Sequence, residues 1–154
     1  MKRRLFTLLV ALLFLVQGVI QSDFNVRAED KVTVVGFETL LTEDSLIGYS
    51  NNQTRGVYLA EGYSVINNAG GGKIGCGGIT NAAKRCRVSV NAIVEQKVNG
   101  SWIRVTSWSA TNTNALTVSI SKTLSVASGY YYRVRCNHTA GTDGSSSYTS
   151  ALWM

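Results

Sequence analysis

From Val57 onward the apolar residues of this chain recur at every second position, which restricts it to β structure. "CRVSVNAIVE" (Cys86 to Glu95) sets Cys86, Val88, Val90, Ala92 and Val94 against Arg87, Ser89, Asn91, Ile93 and Glu95. "LTVSISK" (Leu116 to Lys122) sets Leu116, Val118 and Ile120 against Thr117, Ser119 and Ser121. Successive side chains of a strand point to opposite faces, so each segment reads as a strand with one face buried. Proline is absent, which leaves the turns to Gly, Asn, Ser and Thr. Asn99-Gly100 in "VNGSW" tolerates the positive φ of a tight hairpin and joins the Cys86 strand to "SWIRVTSW". Further breaks fall at residues 68–72, 80–84, 110–114, 126–129 and 140–147. Strands are expected near 57–66, 73–79, 86–97, 101–108, 115–122, 130–138 and 147–153. About seven short strands at this spacing predict an all-β, immunoglobulin- or fibronectin-like β-sandwich over residues 56–154.

The first 28 residues read as a cleaved signal peptide rather than part of the fold. "MKRR" is a basic opening, "LFTLLVALLFLVQGVI" an apolar run, and Val26 and Ala28 stand at a small-residue cut before Glu29. Gln17 and Gly18 near the end of the run favour removal over a membrane anchor. Residues 29–55 fit the strand pattern poorly and read as an N-terminal arm and linker. No second segment of membrane-spanning length follows. The expected product is secreted and extracellular, released or held loosely at the envelope by non-covalent contacts.

The mature chain carries eleven Lys and Arg against eight Asp and Glu, a net charge of +3. It has no regularly spaced basic run, so nucleic acid is not a leading partner. No cofactor motif is present: "GGGKIGCGG" lacks the Lys-Ser/Thr ending and following helix of a phosphate loop.

"GYYYRVRCNH" (Gly129 to His138) gathers three tyrosines, two arginines, a cysteine and the chain's single histidine. As a strand it splits into Tyr130, Tyr132, Val134, Cys136 and His138 facing the core, and Tyr131, Arg133, Arg135 and Asn137 facing outward. Cys86 opens one expected strand and Cys136 closes another. In a fibronectin-like topology these are antiparallel neighbours, which favours a Cys86–Cys136 disulfide and leaves Cys76 as a free thiol. A Cys76–Cys136 bridge of the immunoglobulin kind is the alternative. A zinc site from the three cysteines and His138 is disfavoured, because no Cys-x-x-Cys pair is present.

No catalytic residues emerge. Serines are many, but none has a Gly-x-Ser-x-Gly setting. A Cys136–His138 pair lacks a third orienting group. Glu38, Glu43, Asp44, Glu61, Glu95 and Asp143 are too scattered to suggest a carboxylate pair for glycoside hydrolysis. The sequons at Asn52, Asn99 and Asn137 read as turn and strand residues. The ligand-binding candidates are Trp102, Arg104, Thr106 and Trp108, expected on one strand face opposite Ile103 and Val105. If Ile103 and Val105 face the core, two tryptophans and an arginine stand in solvent. If the tryptophans anchor the core, that surface disappears.

"LLTEDSLIGYS", "TRGVYLAEGYSVI", "GGGKI", "VNGSWIRVTSWS", "SGYYYRVRCNHTAG" and "SYTSALWM" together resemble a family of small secreted proteins of Gram-positive bacteria, catalogued as a domain of unknown function. The resemblance spans Gly36 to Met154, with "GYYYRV" followed by His, and "NGSW", as its most specific parts. It implies secretion and an all-β domain, and carries no catalytic residues. Members usually lack these cysteines, so any thiol chemistry would be particular to this chain. The expected function is a non-enzymatic binding or surface-interaction module with a cell-wall glycan or surface protein as partner. The alternative is a self-associating structural or bacteriocin-like secreted factor.

Overall fold

The computed structural model describes residues 37–50 and 56–154. The expected signal peptide, the start of the expected arm (29–36) and the stretch 51–55 with Asn52 lie outside the described residues. A 3-10 turn (Phe37–Leu40) precedes seven strands: β1 (Leu46–Tyr49), β2 (Leu59–Gly70), β3 (Lys73–Val98), β4 (Ser101–Ser125), β5 (Tyr131–Ala140), β6 (Asp143–Tyr148) and β7 (Leu152–Trp153). The described part of the expected arm is therefore built into the sheet through β1. Asn99 (φ 50°) and Gly100 (φ 83°) make the β3–β4 hairpin turn as their types require.

The all-β architecture holds, but the strands form one continuous antiparallel sheet rather than the two sheets of a sandwich. Its order is β1-β2-β3-β5-β6, with β4 on the far edge of β3 and β7 beside β5. The reason lies at two expected breaks. Residues 80–84 and 110–114 do not end strands; β3 and β4 run through them, 26 and 25 residues long. The polypeptide bends there instead. The β3–β4 register shifts between Asn81 and Cys86 and again before Val88, and Asn114 has φ 50°. β2 then pairs with β3 from Lys73 to Ala82, and β5 pairs with β3 from Val88 to Gln96. The lower half (β1, β2, start of β3, end of β4) thus folds over the upper half (end of β3, start of β4, β5, β6).

Between the halves lies one core of Leu59, Ile66, Ile74, Cys76, Val88, Val90, Ala92, Val94, Val118, Tyr132, Val134 and Cys136, among others. Burying each Val, Ile or Leu contributes roughly 1.5–3 kcal/mol. The curl brings β1 against β6 and nearly closes a barrel. Gly48 makes that approach possible, since a Cβ there would overlap the carbonyl of Tyr148. Asp143 at the start of β6 fastens β2 to the upper half by accepting the N–H groups of Tyr58 (2.6 Å) and Leu59 (3.0 Å). These two bonds hold its carboxyl below the usual aspartate range.

Candidate binding face

The alternation read in "YYYRVRCNH" is realised from Tyr131 to Ala140: Tyr132, Val134, Cys136, His138 and Ala140 are buried, and Tyr131, Arg133, Arg135, Asn137 and Thr139 are not. The buried polar member is held by a specific network. Thr80 donates to the Ser89 carbonyl (3.0 Å), so its oxygen accepts the His138 Nδ1 proton (2.8 Å), and Ser147 then donates to Nε2 (2.8 Å). A serine hydroxyl aimed at Nε2 has the geometry of an activated nucleophile. Here, however, Thr80, His138 and Ser147 are at most 2 % exposed, and Gly62 lies flat on the imidazole where any side chain would collide. Desolvation lowers the His138 pKa to about 4, keeping the ring neutral. The network clamps β3, β5 and β6 together under β2.

All three cysteines are free thiols, and the expected Cys86–Cys136 bridge is corrected by the register. Cys86 lies beside Ala115 at the bend, whereas Cys136 lies beside Ala92. Six residues of strand separate these levels, about 20 Å at ~3.3 Å per residue, while a disulfide needs Cα atoms within about 7 Å. Sequence reasoning placed Cys136 at the end of its strand, but β5 continues to Ala140, and that end meets Val88. Cys76 and Cys136 are fully buried. Burial pushes the Cys76 thiol up to about 12 and raises Cys136 as well, with Cys76 adding to the latter. Both stay protonated at neutral pH.

The four candidates on β4 are split by a bulge. Val94 pairs with Thr106 but Glu95 pairs with Arg104, leaving Val105 as an extra residue. One inserted residue reverses every side chain beyond it. Thr106 and Trp108 stand on the inner side, level with Val94 and Ala92. Trp102 and Arg104 stand on the outer side, level with Lys97 and Glu95. Trp108 is half-buried against the core margin under the Lys122 ammonium (5.1 Å), with its Nε1 lacking a hydrogen-bond partner. The expectation of one shared face therefore fails: Trp102 and Arg104 stand on the outer side, Trp108 is half-buried on the inner side, and Ile103 and Val105 are both exposed.

The outer face of the upper half joins Trp102 and Arg104 to residues that sequence reasoning read only as a polar strand side. Glu95, 7 % exposed, accepts from Arg133 Nε (2.7 Å) and Arg135 Nε (3.2 Å). The Arg133 guanidinium lies 4.3 Å from the Trp102 ring centroid and 5.2 Å from that of Tyr148. Trp102 is thus a support for Arg133 rather than a bare platform. The open aromatics are Tyr148, and Tyr131 with Trp153, the latter two edge to face at 4.7 Å. Trp153 reaches this face through β7, which pairs with β5 at Tyr131 and Tyr132. Below this cluster the face becomes a level polar ladder, with Asn91 donating to Ser109 (2.6 Å) and Ser89 to Thr139 (2.9 Å). The sequence signal for the arginine site was the Arg-x-Arg spacing, which puts both on one face. Its carboxylate partner sits 38 and 40 residues away and had no local signal.

An apolar concavity of about 300 Å³ lies on the outer face of the lower half. Phe37, Leu41, Ile47, Tyr49, Tyr63, Val65 and Ile79 line it. The Tyr63 hydroxyl, bonded to Glu61, has its pKa raised to about 12. Among the described residues no group of three or more His, Cys, Asp or Glu is placed to hold a metal ion, and no helix is long and apolar enough to cross a membrane.

No curated protein matches the chain. Among solved structures, the solution structure of R. palustris CsgH is similar at 17 % identity, covering 53 % of this chain and 83 % of that one, with a TM-score of 0.36. The family comparison is extensive: a model described as a family of unknown function (DUF6147) matches residues 28–152, and the chain belongs to that family.

Proposed function

We propose that this protein is an exported, non-enzymatic binding module whose ligand surface is the outer face around Arg133, Arg135, Trp102, Tyr131, Tyr148 and Trp153. One observation carries the reading. Among the described residues no element covers this face, yet its central cations are fixed in place by a nearly buried carboxylate and an aromatic ring. Flexible surface arginines lose conformational entropy when they bind, whereas these are already ordered. Burial of the His138 network supports a structural rather than catalytic role for the single imidazole. The partner class this surface suits is an envelope glycan or a protein presented there.

Co-sedimentation of residues 29–154 with cell walls and insoluble polysaccharides tests the reading. Wild type should pellet, Trp153→Ala and Tyr131→Ala should stay soluble, and Trp108→Ala, on the inner side, should pellet if it folds. Absence of pelleting by folded wild type removes the envelope reading. A second reading is self-association. Among the described residues β4 pairs only with β3, which leaves its other edge without a described partner along a strand bearing exposed Ile103, Val105 and Leu116. Concentration-dependent dimers in sedimentation velocity would favour it, and a monomer at all concentrations would end it.

A further inference from the structure

We propose that the Arg133–Arg135 pair is an oxyanion site, so that the ligand of this face is an acidic glycan rather than a neutral one. The inference deepens the proposed binding face and rests on it. Each guanidinium meets Glu95 through Nε alone. That contact uses one of five N–H donors, and among the described residues the Nη groups of either arginine make no hydrogen bond. Among the described residues no other carboxylate lies in salt-bridge range of either arginine. One negative charge thus orients two positive ones.

The neighbours add to the imbalance. Glu95 pairs across the sheet with Arg104 on one side and Arg133 on the other, and Lys97 lies one step along the same face beside Trp102. Four cations therefore surround one carboxylate, an excess equal to the net +3 of residues 29–154. The Trp102 and Tyr148 rings lie against the Arg133 guanidinium, 4.3 and 5.2 Å from their centroids, and limit its movement. The planar fork of a guanidinium matches the two oxygens of a carboxylate or phosphate. Open Tyr131, Tyr148 and Trp153 rings close by supply stacking surfaces for sugar rings, and Asn and Ser of the ladder supply hydroxyl partners. An oxyanion borne on a sugar chain engages all three features together. A free inorganic anion engages only the first, and a neutral glycan only the last two.

Isothermal titration of residues 29–154 with oligogalacturonate, a phosphodiester-linked phosphomannan and cellohexaose tests this. The first two probes distinguish a carboxylate from a phosphodiester source of the same chemistry. At least one acidic probe should bind, with affinity falling as salt rises, and cellohexaose should bind at least about tenfold more weakly. Arg133→Lys and Arg135→Lys keep the charge but lose the fork, and each should lower acidic-probe affinity about tenfold. Lys84→Ser/Arg85→Ser/Arg87→Ser removes three charges at the bend, away from the face, and should change affinity less than about threefold. Lysine variants that bind as wild type, or an equal loss in the triple variant, would reduce the effect to general charge and overturn the site. Equal binding of cellohexaose and the acidic probes, lost in Trp153→Ala, would keep the binding face and overturn the oxyanion. Binding of none of the three overturns the oxyanion, and pelleting with walls then judges the face separately.

Discussion

The two halves of the curled sheet share β3, β4 and one core, yet their outer faces are opposites. On the lower half the turn Phe37–Leu40 lies across the sheet. Leu40 is buried over Gly75 and Gly77, and its carbonyl accepts from Asn67 (2.8 Å) and Ser45 (2.6 Å). Asn67 in turn accepts the Gly75 N–H (3.1 Å). On the upper half none of the described residues lies across the sheet, and the same strand β3 offers Ser89, Asn91 and Glu95 where the lower half has glycines. A covered face needs small residues and satisfied polar groups, whereas an open face is free to carry charge and aromatic rings. The difference locates function on the uncovered half, and leaves the lower half's apolar concavity as the margin of a packed cover.

The comparison breaks most directly at the seam where the halves meet. Gly48→Val drives a side chain into the Tyr148 carbonyl and should cost about 4 kcal/mol or prevent folding, read by urea denaturation. A loss under about 1 kcal/mol would mean that β1 and β6 can part without consequence.

Acid tests the clamp beneath the seam. His138 has a folded pKa of about 4, below its ordinary 6.5. The unfolded chain therefore takes up this proton first as pH falls, so stability is full above pH 6.5 and declines down to pH 4. Stability should drop by about 3 kcal/mol across that window, from ~1.4 kcal/mol per unit. His138→Gln should lower stability at pH 7 and flatten the slope; an unchanged slope in the variant would place the titration elsewhere.

The smallest effect belongs to the open ladder. Ser89→Ala and Asn91→Ala should each change stability by no more than about 0.5 kcal/mol, because their partners Thr139 and Ser109 regain water. A larger loss in thermal melts would show the upper face to be as structural as the lower one.

Much of the molecule follows from local pattern. Period-two spacing marks which residues of β5 turn inward, and Asn99-Gly100 marks the hairpin, because both depend only on neighbours along the chain. The Arg133–Arg135 spacing likewise places both guanidiniums on one face. Three features were decided by tertiary structure alone. The stretches at 80–84 and 110–114 carry turn residues, yet they bend two strands rather than ending four, because β3 and β4 pair with one another on both sides of the bend, Asn81 with Thr117 and Val88 with Asn112. Cys86 and Cys136 stand far apart because β5 continues to Ala140 before it meets the bend. Trp102 and Trp108 part company because one residue, Val105, has no partner across the ladder. Alternation along a chain identifies two faces of a strand. Only the register against a neighbouring strand says where a bulge exchanges them, and that register is set by contacts between residues distant in sequence.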